Sequence, residues 1–292
     1  MVRLHLLGAA KEFVGNTCLP AGRNADATDS LLTLRSVRFV LCGLKMAYWE
    51  KEIRSLVGKA IHRYDLIQEG DRVLVGVSGG KDSLSLLHLL HERSKRVPIH
   101  YELLPVYIDL GFDSGQGEIL KNFFEIKGLP YHIEFTKIGI KANSPENREN
   151  PCFLCSWERR KCLFRLAHRF KCNKIALGHH QDDIIETLLL NIFYSAEIST
   201  MLPLQTLFKG EITLIRPLAL LEEKKLERFA RGTGLPVGPS CCPSSGKTKR
   251  KVVKELIEIL SRSDRRVKGN IFRALSNIKL DYTLLKWKKS AK

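Results

Sequence analysis

One strand–turn–helix segment constrains the fold of this chain more than any other feature. Residues 72–77 form a short β-branched run typical of a buried parallel strand, and the apolar run 84–90 predicts a helix. The sequence SGGKDS at 78–83 connects them. Glycines in such a turn let the backbone approach phosphate oxygens, and free N–H groups at the helix N-terminus point at them. The segment therefore predicts a phosphate-binding loop in an α/β domain.

The spacing of this turn excludes the two commonest nucleotide-binding loops. A Walker A loop has four residues between its glycines and a Ser or Thr directly after its Lys. Here three residues separate Gly76 from Gly80, and Asp82 follows Lys81. The turn also lacks the Gly-x-Gly-x-x-Gly pattern of dinucleotide-binding folds. A different class of phosphate-binding loop is indicated.

Further elements follow at the spacing of a doubly wound parallel sheet. We expect strands over 103–108, 131–135 and 174–177, and a helix over 116–127. Polar residues just past strand carboxyl ends line the ligand crevice of such sheets. Asp109 follows the second strand and is placed to meet the adenosine of a nucleotide, with helix capping as the alternative.

A second polar segment, GHHQDD at 178–183, follows the fourth predicted strand and precedes the apolar helix 184–194. Asp182 or Asp183 could cap that helix. A carboxylate pair beside a triphosphate also suits Mg²⁺, which takes one or two carboxylates together with phosphate oxygens. His179 could remain neutral and orient a phosphate or a substrate.

The charge of the chain points to a polyanionic partner. With 48 Lys and Arg against 31 Asp and Glu, the formal net charge is +17, and residues 243–292 contain 15 basic and 4 acidic residues. Such asymmetry favours nucleic acid or an anionic membrane over a merely solvated surface. No stretch approaches the roughly 18 to 20 apolar residues of a membrane helix, so we expect no membrane span.

The cysteines indicate metal or redox chemistry rather than a disulfide scaffold. Eight occur in 292 residues, which suits a reducing, cytoplasmic compartment. Cys152 and Cys155 form a Cys-x-x-Cys pair ahead of a basic helix expected from Glu158 to about residue 171, and Cys241 and Cys242 come much later. Three thiolates with an open position suit an iron–sulfur cluster, whereas four closed thiolates suit structural zinc.

The remaining patterns divide the chain into three parts. Residues 1–45, which include Cys18 and Cys42, lack clear periodicity, whereas Met46 opens a well-patterned helix. We therefore expect residues 1–45 to be an N-terminal extension outside the folded domain. Residues 46–235 form the α/β domain, and 236–292 a cysteine-containing loop with a basic, mainly helical tail. Cys162 and Cys172 read as buried hydrophobic residues. The apolar residues of helix 252–260 suit either a homodimer interface or an intrachain groove.

These segments together resemble a known family. SGGKDS is similar to the PP-loop of the N-type ATP pyrophosphatases, which adenylate an oxygen atom and release pyrophosphate. The other segments that carry the resemblance are the Cys152-x-x-Cys155 pair ahead of two arginines, the run 175–183, the segment 215–218 and the late Cys-Pro. From about residue 46 to 277, the chain resembles the tRNA 2-thiocytidine synthetase family. The resemblance implies ATP-dependent thiolation at cytidine 32 of tRNA, with Mg²⁺, a [4Fe-4S] cluster on three cysteines and a sulfur donor such as a cysteine desulfurase.

The resemblance and the patterns assign the site residues. The expected catalytic residues are Lys81, Asp82 and Asp182. The expected ATP-binding residues are Ser78, Gly79, Gly80, Lys81, Asp82, Ser83, Asp109, Gly178, His179 and Asp183. The expected cluster ligands are Cys152, Cys155 and Cys242, with Cys241 as the alternative third ligand. The expected tRNA contacts are Arg159, Arg160, Lys247, Lys249, Arg250 and Lys251.

One departure keeps alternatives open. The best-known members of the family place the third ligand in a second Cys-x-x-Cys, whereas Cys241 and Cys242 are adjacent. Another PP-loop tRNA enzyme, forming 2-thiouridine, and a non-catalytic RNA-binding protein with structural zinc are the rival interpretations. Lysidine formation and amidation of a small acid are disfavoured, because neither needs iron.

Overall fold

The computed structural model describes residues 48–112, 115–239, 242–243 and 248–283. The expected extension, residues 1–45, lies outside the described residues, as do Cys241 and Lys247. None of the helices in the described ranges combines the length and the apolar character that crossing a membrane requires.

A single sheet of six strands organises the described residues. Its strands are β1 Arg72–Val77, β2 Glu102–Asp109, β3 His132–Phe135, β4 Lys174–Ala176, β5 Leu204–Leu207 and β6 Ile212–Ile215. They lie in the order β3-β2-β1-β4-β6-β5. All neighbouring pairs are parallel except β5 and β6, which pair antiparallel at one edge. The predicted parallel sheet is confirmed, and the antiparallel edge strand β5 was not predicted from the sequence.

Helices cover both faces of this sheet. They are α1 Tyr48–Arg63, α2 Lys81–Ser94, α3 Gln116–Ile126, α4 Ile138–Ala142, α5 Pro151–Arg169, α6 Gln181–Ser195, α7 Glu223–Gly232, α8 Lys249–Ser263 and α9 Val267–Ala274, with short 3-10 turns at Phe208–Gly210 and Leu280–Tyr282.

Alternation along the strands produces two hydrophobic cores. In β1, Val73 and Val75 pack with residues of α1, α2, α3 and α7, whereas Leu74 packs on the opposite face with residues of α5. Successive side chains of a strand point to opposite faces, so a strand buried on both sides is continuously apolar. Cys162 and Cys172 are buried in the second core, as predicted.

The start of α5 corrects one expectation. The Cys-x-x-Cys pair lies inside the first turn of this helix, which begins at Pro151 rather than near Glu158. Asn150 caps the helix, since its Oδ1 accepts the N–H groups of Cys152 at 2.9 Å and Phe153 at 3.3 Å. Proline at the first helical position fits without losing a hydrogen bond. The helix therefore holds both thiols one turn apart.

The C-terminal helices pack against α6. Val253 and Ile257 of α8 are buried with Ile185 of α6, and Phe272 of α9 packs on the same cluster. The helix expected to serve either a dimer or an intrachain groove thus has an intrachain partner. This packing places the basic C-terminal segment near the start of α6, beside the carboxyl ends of the parallel strands.

The strand order locates the ligand crevice. The order reverses between β1 and β4, and ligands of open α/β sheets bind outside the carboxyl ends at this switch point. Residues 78–83 follow β1 and residues 178–183 follow β4. Gly178 allows the two loops to meet, because a Cβ there would lie 3.0 Å from the backbone N of Ser83. The two polar segments therefore form one site.

Candidate active site

Hydrogen bonds from its own serines hold the loop at the start of α2 in shape. Ser83 Oγ accepts the N–H of Ser78 at 3.0 Å and donates to the carbonyl oxygen of Gly80 at 3.0 Å. Gly79 has a φ of +79°, a backbone conformation that side chains disfavour. Gly80 precedes α2 without a side-chain cap. The first N–H groups of a helix lack intrahelical partners, so this end of α2 can receive an anion.

Lys81 is held between two carboxylates at the start of α2. Its Nζ lies 3.3 Å from Asp82 Oδ2 and 3.0 Å from Glu223 Oε1. Burial by itself lowers the pKa of Lys81, but the charges of Asp82 and Glu223 outweigh burial and raise it. The ammonium is thus charged and positioned beside the loop, as a group that stabilises phosphate charge requires.

Glu223 is a site residue that sequence reasoning missed. It begins α7, and its second oxygen accepts a hydrogen bond from Lys254 of α8 at 2.7 Å. Burial raises the pKa of Glu223, but the hydrogen bonds from Lys254 and Lys81 lower it to about 2. The carboxylate therefore stays ionised and holds Lys81 in place. Its partner in the loop is 142 residues away in sequence, so no local motif signals the pair.

One oxygen of Asp82 has no hydrogen-bond partner among the described residues. Its Oδ1 is buried and has no hydrogen bond among the described residues, while Oδ2 lies near Lys81. Burial raises the pKa of Asp82 by more than the charge of Lys81 lowers it. A buried carboxylate oxygen without a partner is costly unless a ligand satisfies it. The oxygen fits a cation such as Mg²⁺, which prefers carboxylate ligands beside phosphates.

Asp182, in contrast, is fully engaged by the protein. One oxygen accepts the backbone N–H of Glu223 at 2.7 Å, and the other accepts a hydrogen bond from Lys268 of α9. The residue is 5% exposed. Asp182 therefore ties α6, α7 and α9 together, and among the described carboxylates considered for Mg²⁺, Asp82 is the better placed ligand.

Asp183 caps α6, as expected for one member of this pair. Its Oδ2 accepts the N–H of His180 at 3.0 Å, and its Oδ1 lies 3.0 Å from Arg250 Nη1. Arg250 also contacts Glu186 at 3.2 Å. Burial raises the pKa of Glu186 and the charge of Arg250 lowers it, with a net increase. Arg250, Lys254 and Lys268, called the C-terminal cations below, thus each pair with a carboxylate of the site.

The lowered pKa of the buried His179 favours a neutral ring at physiological pH. Burial lowers the pKa of His179 to about 4, although Asp183 opposes the effect and Arg216 adds to it. Its Nδ1 is buried without a hydrogen-bond partner among the described residues. Arg216 follows β6 and is 5% exposed. A neutral ring with a free nitrogen can hydrogen-bond a ligand without adding charge.

Asp109 has a local structural role at the end of β2. Its Oδ1 accepts the N–H of Gly111 at 2.7 Å, which closes the turn after the strand. Ile108 and Leu110 line the cavity beside the loop, whereas Asp109 does not. The predicted contact with ATP stays a prediction.

A cavity of about 270 Å³ joins the loop to the cysteine region. Its lining includes Ser78, Gly79 and Gly80 from the loop, together with Arg159 of α5 and Cys242. The chain segment ahead of Cys242 is bonded to the loop, because the N–H of Gly238 donates to the carbonyl oxygen of Gly79 at 3.1 Å. The predicted phosphate loop and a predicted thiol ligand therefore face the same space.

The thiols of Cys152, Cys155 and Cys242 are free. Burial raises the pKa of Cys155, Arg159 lowers it, and the neighbouring Cys242 and Cys152 raise it further. Cys155 therefore lies near both other thiols. Among the residues that the structure describes, no three Cys, His, Asp or Glu side chains are grouped as metal ligands. The structure brings the thiols into one region without closing a ligand set around them.

The predicted tRNA contacts occupy different surroundings. Lys249 lies 4.4 Å above the ring of Tyr194, and Lys251 and Arg160 are exposed. Arg159 lines the cavity, and Arg250 is bound to carboxylates. Their roles toward RNA stay predictions.

Comparisons with known proteins agree with this geometry. Residues 49–237 match the model of the PP-loop domain family. The tRNA-cytidine(32) 2-sulfurtransferase of Citrifermentans bemidjiense is 42% identical over 229 residues, which are 77% of this chain and 90% of that protein. The enzyme of the same name from Geotalea uraniireducens is 40% identical over 235 residues, 80% of this chain and 93% of that protein.

A solved structure is similar over the same region. The U34-tRNA thiolase NcsA from Methanococcus maripaludis, solved with its [4Fe-4S] cluster, superposes with a TM-score of 0.67 and 27% identity, covering 80% of each chain. The predicted PP-loop fold and the predicted transferase class are thereby confirmed. With the loop at the switch point and these matches over most of its length, the chain belongs to the PP-loop domain family and, within it, to the tRNA-cytidine(32) 2-sulfurtransferase family.

Proposed function

We propose that this protein uses ATP to replace the C2 oxygen of cytidine 32 in tRNA with sulfur. The observation that carries the proposal is the cavity lined both by the phosphate loop and by Cys242. A nucleobase bound there would lie between a site that activates oxygen and thiols that can hold a sulfur source. Since reduced thiols persist in the cytoplasm, we propose that location.

ATP is needed because a pyrimidine carbonyl oxygen is a poor leaving group. In the proposed reaction the cytidine O2 attacks the α-phosphorus of ATP, and the bond from that phosphorus to pyrophosphate breaks. The loop backbone and Lys81 would hold the outgoing pyrophosphate. Asp82 would hold Mg²⁺ through its unpartnered oxygen, and the ion would neutralise phosphate charge.

Substitution at C2 completes the reaction. A sulfur nucleophile forms the new C–S bond, and O2 leaves with AMP, so sulfide delivery requires no net oxidation or reduction. The donor set, Cys152, Cys155 and a third cysteine at 242 or 241, fits a [4Fe-4S] cluster, because thiolates are the usual ligands of such clusters. When bound, the cluster would supply sulfur at an iron without a cysteine ligand. Arg159 would contribute positive charge beside these thiols.

The proposed substrate is tRNA, bound through basic side chains of the C-terminal helices and α5. A cytidine in a loop must be turned outward for its O2 to be reached. Three basic side chains support the binding of tRNA: Arg160 and Lys251 are exposed, and Arg159 lines the cavity. A cysteine desulfurase is the proposed source of sulfur. Because such an enzyme delivers sulfur as a persulfide, a thiol reductant would supply the two electrons that release it as sulfide.

A second candidate is thiolation of uridine 34, favoured by the similarity to the U34-tRNA thiolase. Both candidates use the same chemistry at C2 and differ in the nucleotide presented. Nucleoside mass spectrometry of the product tRNA, with mapping of the modified position, distinguishes them. We expect 2-thiocytidine at position 32.

The experiment that tests the proposal is thiolation of tRNA by protein purified without oxygen, with ATP, Mg²⁺ and sulfide. We expect the Cys152→Ser/Cys155→Ser variant to be inactive while retaining its fold. Cys172→Ala is the matched control, because this thiol is buried in the core away from the loop lining. Thiolation by the double serine variant at the wild-type rate would show that these thiols have no role in sulfur transfer.

A further inference from the structure

A second cavity, of about 520 Å³, lies on the side of the site formed by α7 and α9. Among the residues that the structure describes, five cationic side chains line it, and Glu222 is the one carboxylate in the lining. No residue of the loop 78–83 contributes to it. The cations are Lys224, Arg265, Arg266, Lys268 and Arg273.

Three of these cations have no carboxylate partner among the described residues. Lys224, Arg265 and Arg273 are exposed and form no ion pair within the described part of the chain. Arg273 Nη2 donates to the neutral amide oxygen of Asn270 at 2.6 Å. Arg266 is paired with Asp264 at 3.0 Å. The cavity thus holds an excess of positive charge that an anion would neutralise.

The remaining cation connects this cavity to the active site. Lys268 donates to Asp182, whose other oxygen accepts the N–H of Glu223. Glu223 in turn holds Lys81 of the phosphate loop at 3.0 Å. A ligand that contacts Lys268 in the cavity would therefore be connected through Asp182 and Glu223 to the crevice where ATP is proposed to react.

We propose that this cavity binds phosphates of the tRNA backbone next to the nucleotide presented for thiolation. The inference rests on the proposed function and adds a binding site for its substrate. Arginine forks and lysine ammonium groups on an open surface suit successive phosphodiesters. The triphosphate of ATP is proposed to bind the loop at the start of α2, so the exposed cations of α7, of the turn before α9 and of α9 are available for RNA.

The test is tRNA binding by a charge-reversed variant, Lys224→Glu/Arg265→Glu, measured by fluorescence anisotropy at several salt concentrations. We expect at least about 10-fold weaker binding near physiological salt. The slope of log affinity against log salt should fall by about 1.4 to 1.8, since two phosphate contacts are removed. Arg273→Gln should weaken binding in the same direction by a smaller factor.

Lys209→Glu is the matched control, because Lys209 precedes β6 and lies at the amino ends of the parallel strands, whereas the crevice lies at their carboxyl ends. It should bind tRNA like the wild type. ATP affinity is measured in parallel and should be unchanged in all variants. Loss of ATP binding in the double variant would overturn the inference by assigning the cavity to the nucleotide.

Two further outcomes separate the inference from the function on which it rests. If the wild type binds tRNA and Lys224→Glu/Arg265→Glu binds it equally well with the same salt slope, the inference is wrong and the proposed function stands. If the wild type binds no tRNA, the proposed function is wrong and the inference fails with it. Thermal unfolding verifies that the exposed substitutions leave the fold intact.

Discussion

The phosphate loop and the C-terminal cations are built in different ways. The loop is local, since residues 78–83 follow β1 directly and run into the first turn of α2, and its two serines bond to each other. The C-terminal cations come from α8 and α9 and reach carboxylates far away in sequence, as Lys268 reaches Asp182. The proposed phosphate contacts of the loop therefore depend on its local backbone shape, whereas the charge balance around it depends on tertiary packing.

The largest expected effect concerns the loop itself. Lys81→Ala removes the ammonium beside the proposed pyrophosphate, while the backbone of the loop remains. Losing one placed donor of this kind costs about 10² to 10³ in rate, or about 3 to 4 kcal/mol. Pyrophosphate release in the presence of tRNA measures it, and circular dichroism verifies the fold. A rate within a factor of about two of the wild type would remove Lys81 from the mechanism.

The next effect tests whether the two regions act as a unit. Glu223→Gln leaves Lys81 and Lys254 without their shared carboxylate, so Lys81 loses its position. We expect a double-mutant cycle of Glu223→Gln with Lys81→Met to give a coupling energy of about 0.5 to 3 kcal/mol in pyrophosphate release. Additive effects would mean that the local loop works without help from Glu223.

A smaller effect concerns the backbone of the loop. Gly79→Ala places a methyl group at a φ of +79° and 2.9 Å from Gln116 Nε2. A left-handed conformation costs a side-chain-bearing residue about 1 to 2 kcal/mol. Urea unfolding should show a loss of that size together with weaker ATP binding. Gly128→Ala, also at positive φ but with open space around it, is the control.

The smallest effect is on the pH dependence of stability. The pKa of His179 falls from 6.5 to about 4 on folding, so between these values the unfolded chain binds more protons than the folded protein. This contribution to stability is complete above about pH 6.5 and is lost as the pH falls toward 4.

Replacing this ring removes that dependence. Between pH 7 and pH 5, the unfolding free energy of His179→Asn should depend less on pH than that of the wild type. The difference in slope should be up to about 1.4 kcal/mol per pH unit. Urea unfolding at the two pH values measures the difference from the wild type. Identical slopes would mean that folding does not change the pKa of His179.

The same contrast explains what the sequence could predict. The parallel strands and the phosphate loop were predictable, because apolar runs and a glycine turn are local signals. The Cys-x-x-Cys pair was placed ahead of its helix, since Pro151 at a helix start carries a weaker signal than the basic run after Glu158. The pairing of Lys81 with Glu223 and the engagement of Asp182 by Lys268 were missed, because only tertiary packing brings these residues together.

In the proposed function, the phosphate loop and the thiols form one site. This arrangement is tested by iron and sulfide analysis of anaerobically purified wild type and of Cys242→Ser, with ATP affinity measured on the same samples. We expect about four iron and four sulfide per wild-type chain. Cys242→Ser should lose most of both and still bind ATP. Full iron and sulfide in Cys242→Ser, or one zinc in place of iron in the wild type, would contradict the claim.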